Sequence, residues 1–222
     1  MKTYINEFIG SATLVIMGAG AMILSGNRED FATFALGFGL AYVLTLYLFG
    51  TVGYFNPAIT LALAINGKID KNKAPNMIVS QALGGLLGGG ALVGVFALLG
   101  YSSKDLGMFG ATSYGGSVTT VLAFIIESFI TFIITLLVLK LESKDASKLE
   151  KSILVGIAFV SAYLLAGPIT GASANPIRSL SLAFFANEKA MALQHLPVYI
   201  LGPIFGAILA VLFVKVQSKY IK

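Results

Sequence analysis

The sequence predicts an all-α membrane protein of six transmembrane helices plus two re-entrant half-helices, arranged as an inverted repeat, and three observations predict it. Of 222 residues, 57% are hydrophobic and only 11% charged, with a mean hydropathy of +0.88, whereas soluble domains carry about 25% charged residues. Two Asn-Pro pairs, Asn56-Pro57 and Asn175-Pro176, each open an apolar run too short to cross a bilayer. Each pair is also preceded by a glutamate inside a long apolar segment: Glu7 lies 49 residues before Asn56, and Glu127 lies 48 before Asn175. The chain reads as two copies of one plan.

The first span covers residues 5–24, enough at about 1.5 Å per residue to cross a hydrocarbon core of about 30 Å. A loop at 25–30 leads to a second span at 31–49, whose Gly37 and Gly39 permit close helix approach. Residues 50–55 are too glycine-rich for helix. Asn56 then supplies an N-cap, its side-chain oxygen accepting a backbone N–H, and Pro57 and Ala58 follow where Pro57 needs no N–H. The run ends at Asn66-Gly67, and about ten residues rise about 15 Å, half a bilayer. Such a segment enters and returns on one side, and irregular backbone at that depth needs protein or a wet cavity around it. Lys68, Lys71 and Lys73 close the loop. The third span, 75–99, carries Gln81 and a glycine run from Gly84 to Gly90 with small-xxx-small spacing. A polar loop at 101–116 ends the first repeat.

The second repeat, 117–222, follows the same order within a single domain: a span at 118–139, a lysine-rich loop at 140–151, a span at 152–166, and an irregular stretch. A half-helix from Asn175-Pro176-Ile177 to about 186 and a last span at 196–216 complete it. Three spans per repeat is an odd number, so the copies sit in opposite orientations and the half-helices enter from opposite faces. Eleven of the fifteen lysines and arginines then share one side with both termini, against Arg28, Lys104, Arg178 and Lys189 on the other. The positive-inside rule makes that first side cytoplasmic. Lysines clustered between apolar runs indicate loops beside membrane lipid and no nucleic-acid partner. Met1-Lys2 and the apolar run behind them superficially resemble a secretory signal, but Glu7 inside the run and its counterpart Glu127 far downstream argue for a retained span. With no cysteine and one histidine, His195, the sequence leads us to expect no metal site, no cofactor and no catalytic residue, and nothing pairs a nucleophile with a base.

Half-helices meeting N-terminus to N-terminus place two partial positive charges, each about half an elementary charge, at one point in a low-dielectric path. Cations and hydrated protons are repelled there. With each Asn oxygen engaged as a cap acceptor, the amide NH2 groups of Asn56 and Asn175 are expected to face a passing water or hydroxyl as free donors. Arg178, about one turn into the second half-helix, adds a fixed charge. Glu7 and Glu127 read as acceptors for the irregular backbone before each half-helix, with Gln81 as structural glue. Their alternative role, as relay carboxylates of a proton-coupled secondary transporter, belongs to a different class of protein.

These residues together resemble the aquaporin (major intrinsic protein) family: Glu7, Asn56-Pro57-Ala58-Ile59-Thr60, Gln81-Ala82-Leu83-Gly84, Glu127 with Thr131, Gly167-Pro168-Ile169-Thr170-Gly171-Ala172-Ser173, Asn175-Pro176-Ile177-Arg178-Ser179 and Gly202-Pro203. The resemblance spans nearly the whole chain. It implies a pore in each monomer, assembly as a homotetramer in the cell membrane, and passive flow of water or small uncharged solutes such as glycerol. By resemblance the selectivity filter comprises Arg178, Ala172, Tyr163 and one residue of the second span. Counting back from Asn56 gives Leu36, whereas anchoring on Phe38-Gly39 and Gly50 gives Phe38, which is preferred. Ile177 stands where the family usually has Ala, and Tyr54 where a His commonly precedes the first motif; both are expected to alter pore width locally. Ser179, Ala183, Tyr199 and the bulky Tyr163 resemble the water-selective branch, although Ile200 lacks the aromatic usual there. A water channel is the preferred reading and a glycerol facilitator the alternative.

Overall fold

The computed structural model describes residues 1–24, 30–50, 53–101, 108–144, 146–187 and 189–220. Arg28, Lys104 and Lys222, used in the charge count, lie outside the described residues. Among the described residues six helices are long and apolar enough to cross a membrane: α1 (Lys2–Leu24), α2 (Phe31–Phe49), α4 (Ala74–Leu98), α5 (Thr120–Ser143), α6 (Lys148–Thr170) and α8 (Lys189–Tyr220). Two are short, α3 (Pro57–Ile65) and α7 (Pro176–Ala183), rising about 14 and about 12 Å. Among the described residues there is no strand.

Local chemistry sets the helix ends. Asp30 caps α2 by accepting from the Thr33 N–H at 3.0 Å, and Thr119 caps α5 by accepting from Leu122 at 3.2 Å. Ser147 accepts from the Glu150 N–H at 3.2 Å in a Ser-x-x-Glu sequence that opens α6. Gly171, at φ 71°, closes α6 in the left-handed conformation that a side chain disfavours. This helix runs through Pro168 to Thr170, past its expected end at 166, whereas α7 stops at Ala183, short of 186. The proline falls in the final turn, where the Thr170 hydroxyl oxygen lies 3.2 Å from the Ala166 carbonyl.

Glycines decide how the long helices cross. A Cβ at Gly84 of α4 would lie 2.0 Å from the Phe8 carbonyl oxygen of α1, and one at Gly206 of α8 would lie 2.0 Å from the Ser128 carbonyl oxygen of α5. Phe8 and Ser128 each follow the glutamate of their repeat, so α1 with α4 and α5 with α8 make the same contact in the two halves. Gly39 of α2 and Gly156 of α6 meet likewise, each against the other's carbonyl oxygen at 2.9 and 2.8 Å. Gly206→Leu is therefore expected to push α8 off α5 and to lower stability by about 1–3 kcal/mol, read as a lower unfolding midpoint in detergent. An unchanged midpoint would mean that this crossing yields easily.

The outward faces are apolar. Leu36, Leu40, Leu44 and Leu48 form one exposed stripe along α2, and Val121, Ile125, Phe129 and Ile133 another along α5. That pattern suits a hydrocarbon solvent. The two half-helices lie inside the ring of long helices, α3 against α4, α5 and α8, and α7 against α4, α8 and α1.

Candidate functional site

The centre of the molecule is where α3 and α7 meet end to end. Asn56 accepts from the Ala58 N–H at 3.0 Å and Asn175 from the Ile177 N–H at 3.0 Å, each at an extended N-cap. The amide groups then cross between the halves: Asn56 Nδ2 donates to the Ala174 carbonyl at 2.8 Å, and Asn175 Nδ2 donates to the Phe55 carbonyl at 2.9 Å. Each asparagine thus holds the carbonyl immediately before the other. This differs from the sequence expectation of two free NH2 groups, because one hydrogen of each is engaged in tying the two N-termini together. The second hydrogen of Asn175 goes to the Tyr42 hydroxyl at 2.7 Å.

Buried glutamates hold the strained backbone that delivers these caps. Tyr54 and Phe55 have φ of 57° and 55°, and Ala172 and Ala174 have φ of 39° and 50°, conformations costing about 1–3 kcal/mol each. Glu7 accepts from the N–H groups of Gly53 and Phe55, both at 3.0 Å, and from Gln81 Nε2 at 2.7 Å. Gln81 also donates to the Thr60 hydroxyl at 2.8 Å. In the second half Glu127 accepts from Ser173 at 3.1 Å and Ala174 at 2.9 Å, and Thr170 donates to it at 2.7 Å. The two clamps share the backbone donor immediately before each asparagine, Phe55 and Ala174, and differ in the second, Gly53 against Ser173, and in the side chain that completes them.

Towards the His195 end, Arg178 is buried with its guanidinium carbon 5.0 Å from the Phe38 ring centroid and 5.7 Å from that of Phe34, and its Nη2 lies 3.2 Å from the Met22 sulfur. Tyr163 meets Phe38 edge-on at 5.4 Å, stacks on Phe34 at 5.2 Å, and donates its hydroxyl to the Ser173 carbonyl at 2.8 Å. Of the residues singled out from sequence, Phe38, Tyr163 and Arg178 come together. Ala172 is buried on the loop leading to α7, its N–H 3.3 Å from the Thr170 hydroxyl. Leu36 is 50% exposed on the outer stripe of α2. The bulk of Ile177 is taken up on α4, where Gly85 leaves room for its Cγ2. Hydroxyls of Thr112, Ser179 and Ser173 form a chain with 2.7 Å links that joins the loop before α5 to α7.

At the opposite end Tyr54 donates to Glu142 at 2.5 Å, and Glu142 pairs with Lys151 at 2.9 Å. They border a cavity of about 510 Å³ reaching inward to Leu46, with Lys2, Asn6 and Lys148 also on its wall.

Sequence reasoning missed Phe34, Tyr42, Phe159 and Met22. The signal was present in part: Phe34, Phe38, Tyr42 and Leu46 are spaced by four along α2, and Phe159 and Tyr163 by four along α6. Two facing aromatic stripes at helical spacing mark an interior seam.

Six spans, two half-helices joined at their N-caps and a guanidinium beside them define a membrane channel for uncharged solutes. The family model of the major intrinsic proteins matches residues 1–214, and the chain belongs to that family. It is a passive channel for water or small neutral solutes. Glycerol uptake facilitator protein-like 6 of Lactiplantibacillus plantarum is 34% identical over 99% of both chains, and Nodulin-26 of Glycine max is 29% identical over 94% of this chain and 74% of its own length. In fold, the chain resembles the aquaglyceroporin of Plasmodium falciparum, with a TM-score of 0.83 at 24% identity over 99% of this chain and 96% of that one.

Proposed function

We propose that this protein passes water along a path from the Arg178, Phe38 and Tyr163 cluster, past Asn56 and Asn175, to the cavity under Leu46. The observation that carries the reading is the junction of the two half-helices. Their positive ends face each other there, tied by Asn56 and Asn175, with Arg178 buried one turn away. As in aquaporin-type pores generally, an arginine and opposed helix ends exclude cations and protons. Glu7 and Glu127, engaged with backbone N–H groups, serve the scaffold, so transport is downhill and uncoupled, and no step is catalytic. The crowding of Phe34, Phe38 and Tyr163 beside Arg178 favours water over wider solutes. A second reading, glycerol conduction, is favoured by the 34% identity to a protein named a glycerol uptake facilitator-like.

In this reading the repeats divide near residue 116, both termini are cytoplasmic, and the protein sits in the cell membrane as a homotetramer. The lysine distribution supports the orientation, and the apolar outer stripes supply area for lipid and for neighbouring subunits.

Stopped-flow light scattering on proteoliposomes tests the solute. Shrinkage under an impermeant osmolyte faster than in empty vesicles, with slow glycerol re-entry, is the expected result. Fast glycerol re-entry would transfer the assignment to the second reading. Tyr163→Gly, by removing a ring stacked on Phe34 and edge-on to Phe38, is expected to raise glycerol flux more than water flux. Equal gains for both solutes would take Tyr163 out of the filter.

A further inference from the structure

Four residues beyond Phe38 on the same face of α2, Tyr42 reaches the junction of the half-helices. Its hydroxyl accepts from Asn175 Nδ2 at 2.7 Å while the Phe55 carbonyl accepts from the same nitrogen at 2.9 Å. An amide NH2 has two hydrogens, so both donors of Asn175 are in use. The Tyr42 ring lies flat on Phe159, with centroids 3.6 Å apart and planes 8° from parallel, and both rings are fully buried. Phe159 in turn meets Tyr163 edge-on at 5.7 Å. An unbroken aromatic column therefore runs from Arg178 to the asparagine pair. One turn further along α2, at Leu46, it gives way to the open cavity.

We infer that Tyr42 is the gate and a specificity-determining residue of this channel: its hydroxyl occupies the hydrogen-bonding place of the permeating solute on Asn175, and its ring turns aside to let solute pass. The inference rests on the proposed path past the two asparagines. When Tyr42 leaves, the Asn175 donor is buried and unsatisfied unless the arriving molecule brings an acceptor oxygen. Opening is thereby matched to small neutral molecules that carry an oxygen, such as water and polyols. The cavity that Leu46 borders lies one turn along the same helix face and is the open volume towards which the displaced ring turns.

The test is water and glycerol flux, with the temperature dependence of water flux, through proteoliposomes of wild type, Tyr42→Phe and Tyr42→Val. Tyr42→Phe keeps the ring and its stacking and removes only the hydroxyl, so it reports on gating even if the smaller side chain disturbs folding. Water flux is expected to rise by about fivefold in Tyr42→Phe, the population change that one lost hydrogen bond permits. It is expected to rise further in Tyr42→Val, with a lower activation energy and a larger gain for glycerol. A conducting wild type whose flux and activation energy are unchanged or lowered in flux by both substitutions would overturn the gate and leave the path intact. No flux above empty vesicles in any of the three, all helical by circular dichroism, would overturn the path and the gate together.

Discussion

Glu7→Gln is expected to abolish flux and to destabilise the protein by about 3 kcal/mol, whereas the same change at Glu127 is expected to be much milder. The difference lies in what each carboxylate faces. Glu7 Oε1 is met by the Gly53 N–H, and Oε2 by the Phe55 N–H and the Gln81 amide. Whichever way the new amide turns, its NH2 points at a backbone N–H. One buried donor is then left unsatisfied, costing about 1–3 kcal/mol, and charge-assisted bonds are lost as well. With the clamp gone, Tyr54 and Phe55 have no reason to hold positive φ, and the Asn56 cap that follows them moves. At Glu127 the Oε1 position faces a threonine hydroxyl that also lies 3.2 Å from the Ala166 carbonyl. The Ser173 N–H is shared between the two oxygens, 3.1 Å from Oε1 and 3.2 Å from Oε2, so an NH2 at Oε1 can donate to Thr170 while Thr170 donates to Ala166, and the amide oxygen at Oε2 keeps Ala174 and takes Ser173 alone. Thermal unfolding in detergent followed by circular dichroism, together with osmotic shrinkage, checks both variants. Equal losses at the two sites would show that the charge of these glutamates matters more than their donor and acceptor pattern.

The parts of the fold that were legible in the sequence are those whose chemistry is local or repeated. Asn followed by Pro specifies a capped helix start within three residues, and both caps have that geometry. Two glutamates at matching distances announce a shared task that neither announces alone. What stayed hidden depends on groups brought together by the tertiary fold. The amide hydrogens of Asn56 and Asn175 find carbonyls 118 and 120 residues away, so local reasoning left them free. Gly85 accommodates Ile177 from another helix, so a bulky residue in the second motif read as a pore feature. Tyr42 was overlooked because an aromatic inside an apolar span ordinarily signals packing. Only its hydroxyl distance to Asn175 gives it a different meaning.

Arg178→Ala is expected to raise glycerol flux by about tenfold in the Tyr42→Val background, where the gate no longer limits flux, equivalent to about 1.4 kcal/mol off the barrier, with a smaller gain for water. Arg178 sits in the first turn of α7, at the positive end of a helix dipole, where a cation is disfavoured by about 0.3–1 kcal/mol. Its buried placement against Phe38, Phe34 and Met22 thus runs against local electrostatics and makes sense as a constriction. Removing the guanidinium widens the path and deletes a fixed charge in one step. The size of the gain depends on Tyr42, because two constrictions in series are governed by the tighter one. If Tyr42 limits flux, Arg178→Ala alone changes little, and its effect emerges in the Tyr42→Val background. If Arg178 limits flux, the order reverses. Stopped-flow glycerol re-entry for the two single variants and the double variant separates these cases. A glycerol-to-water ratio that ignores Arg178→Ala in both backgrounds would place the arginine outside the conducting path.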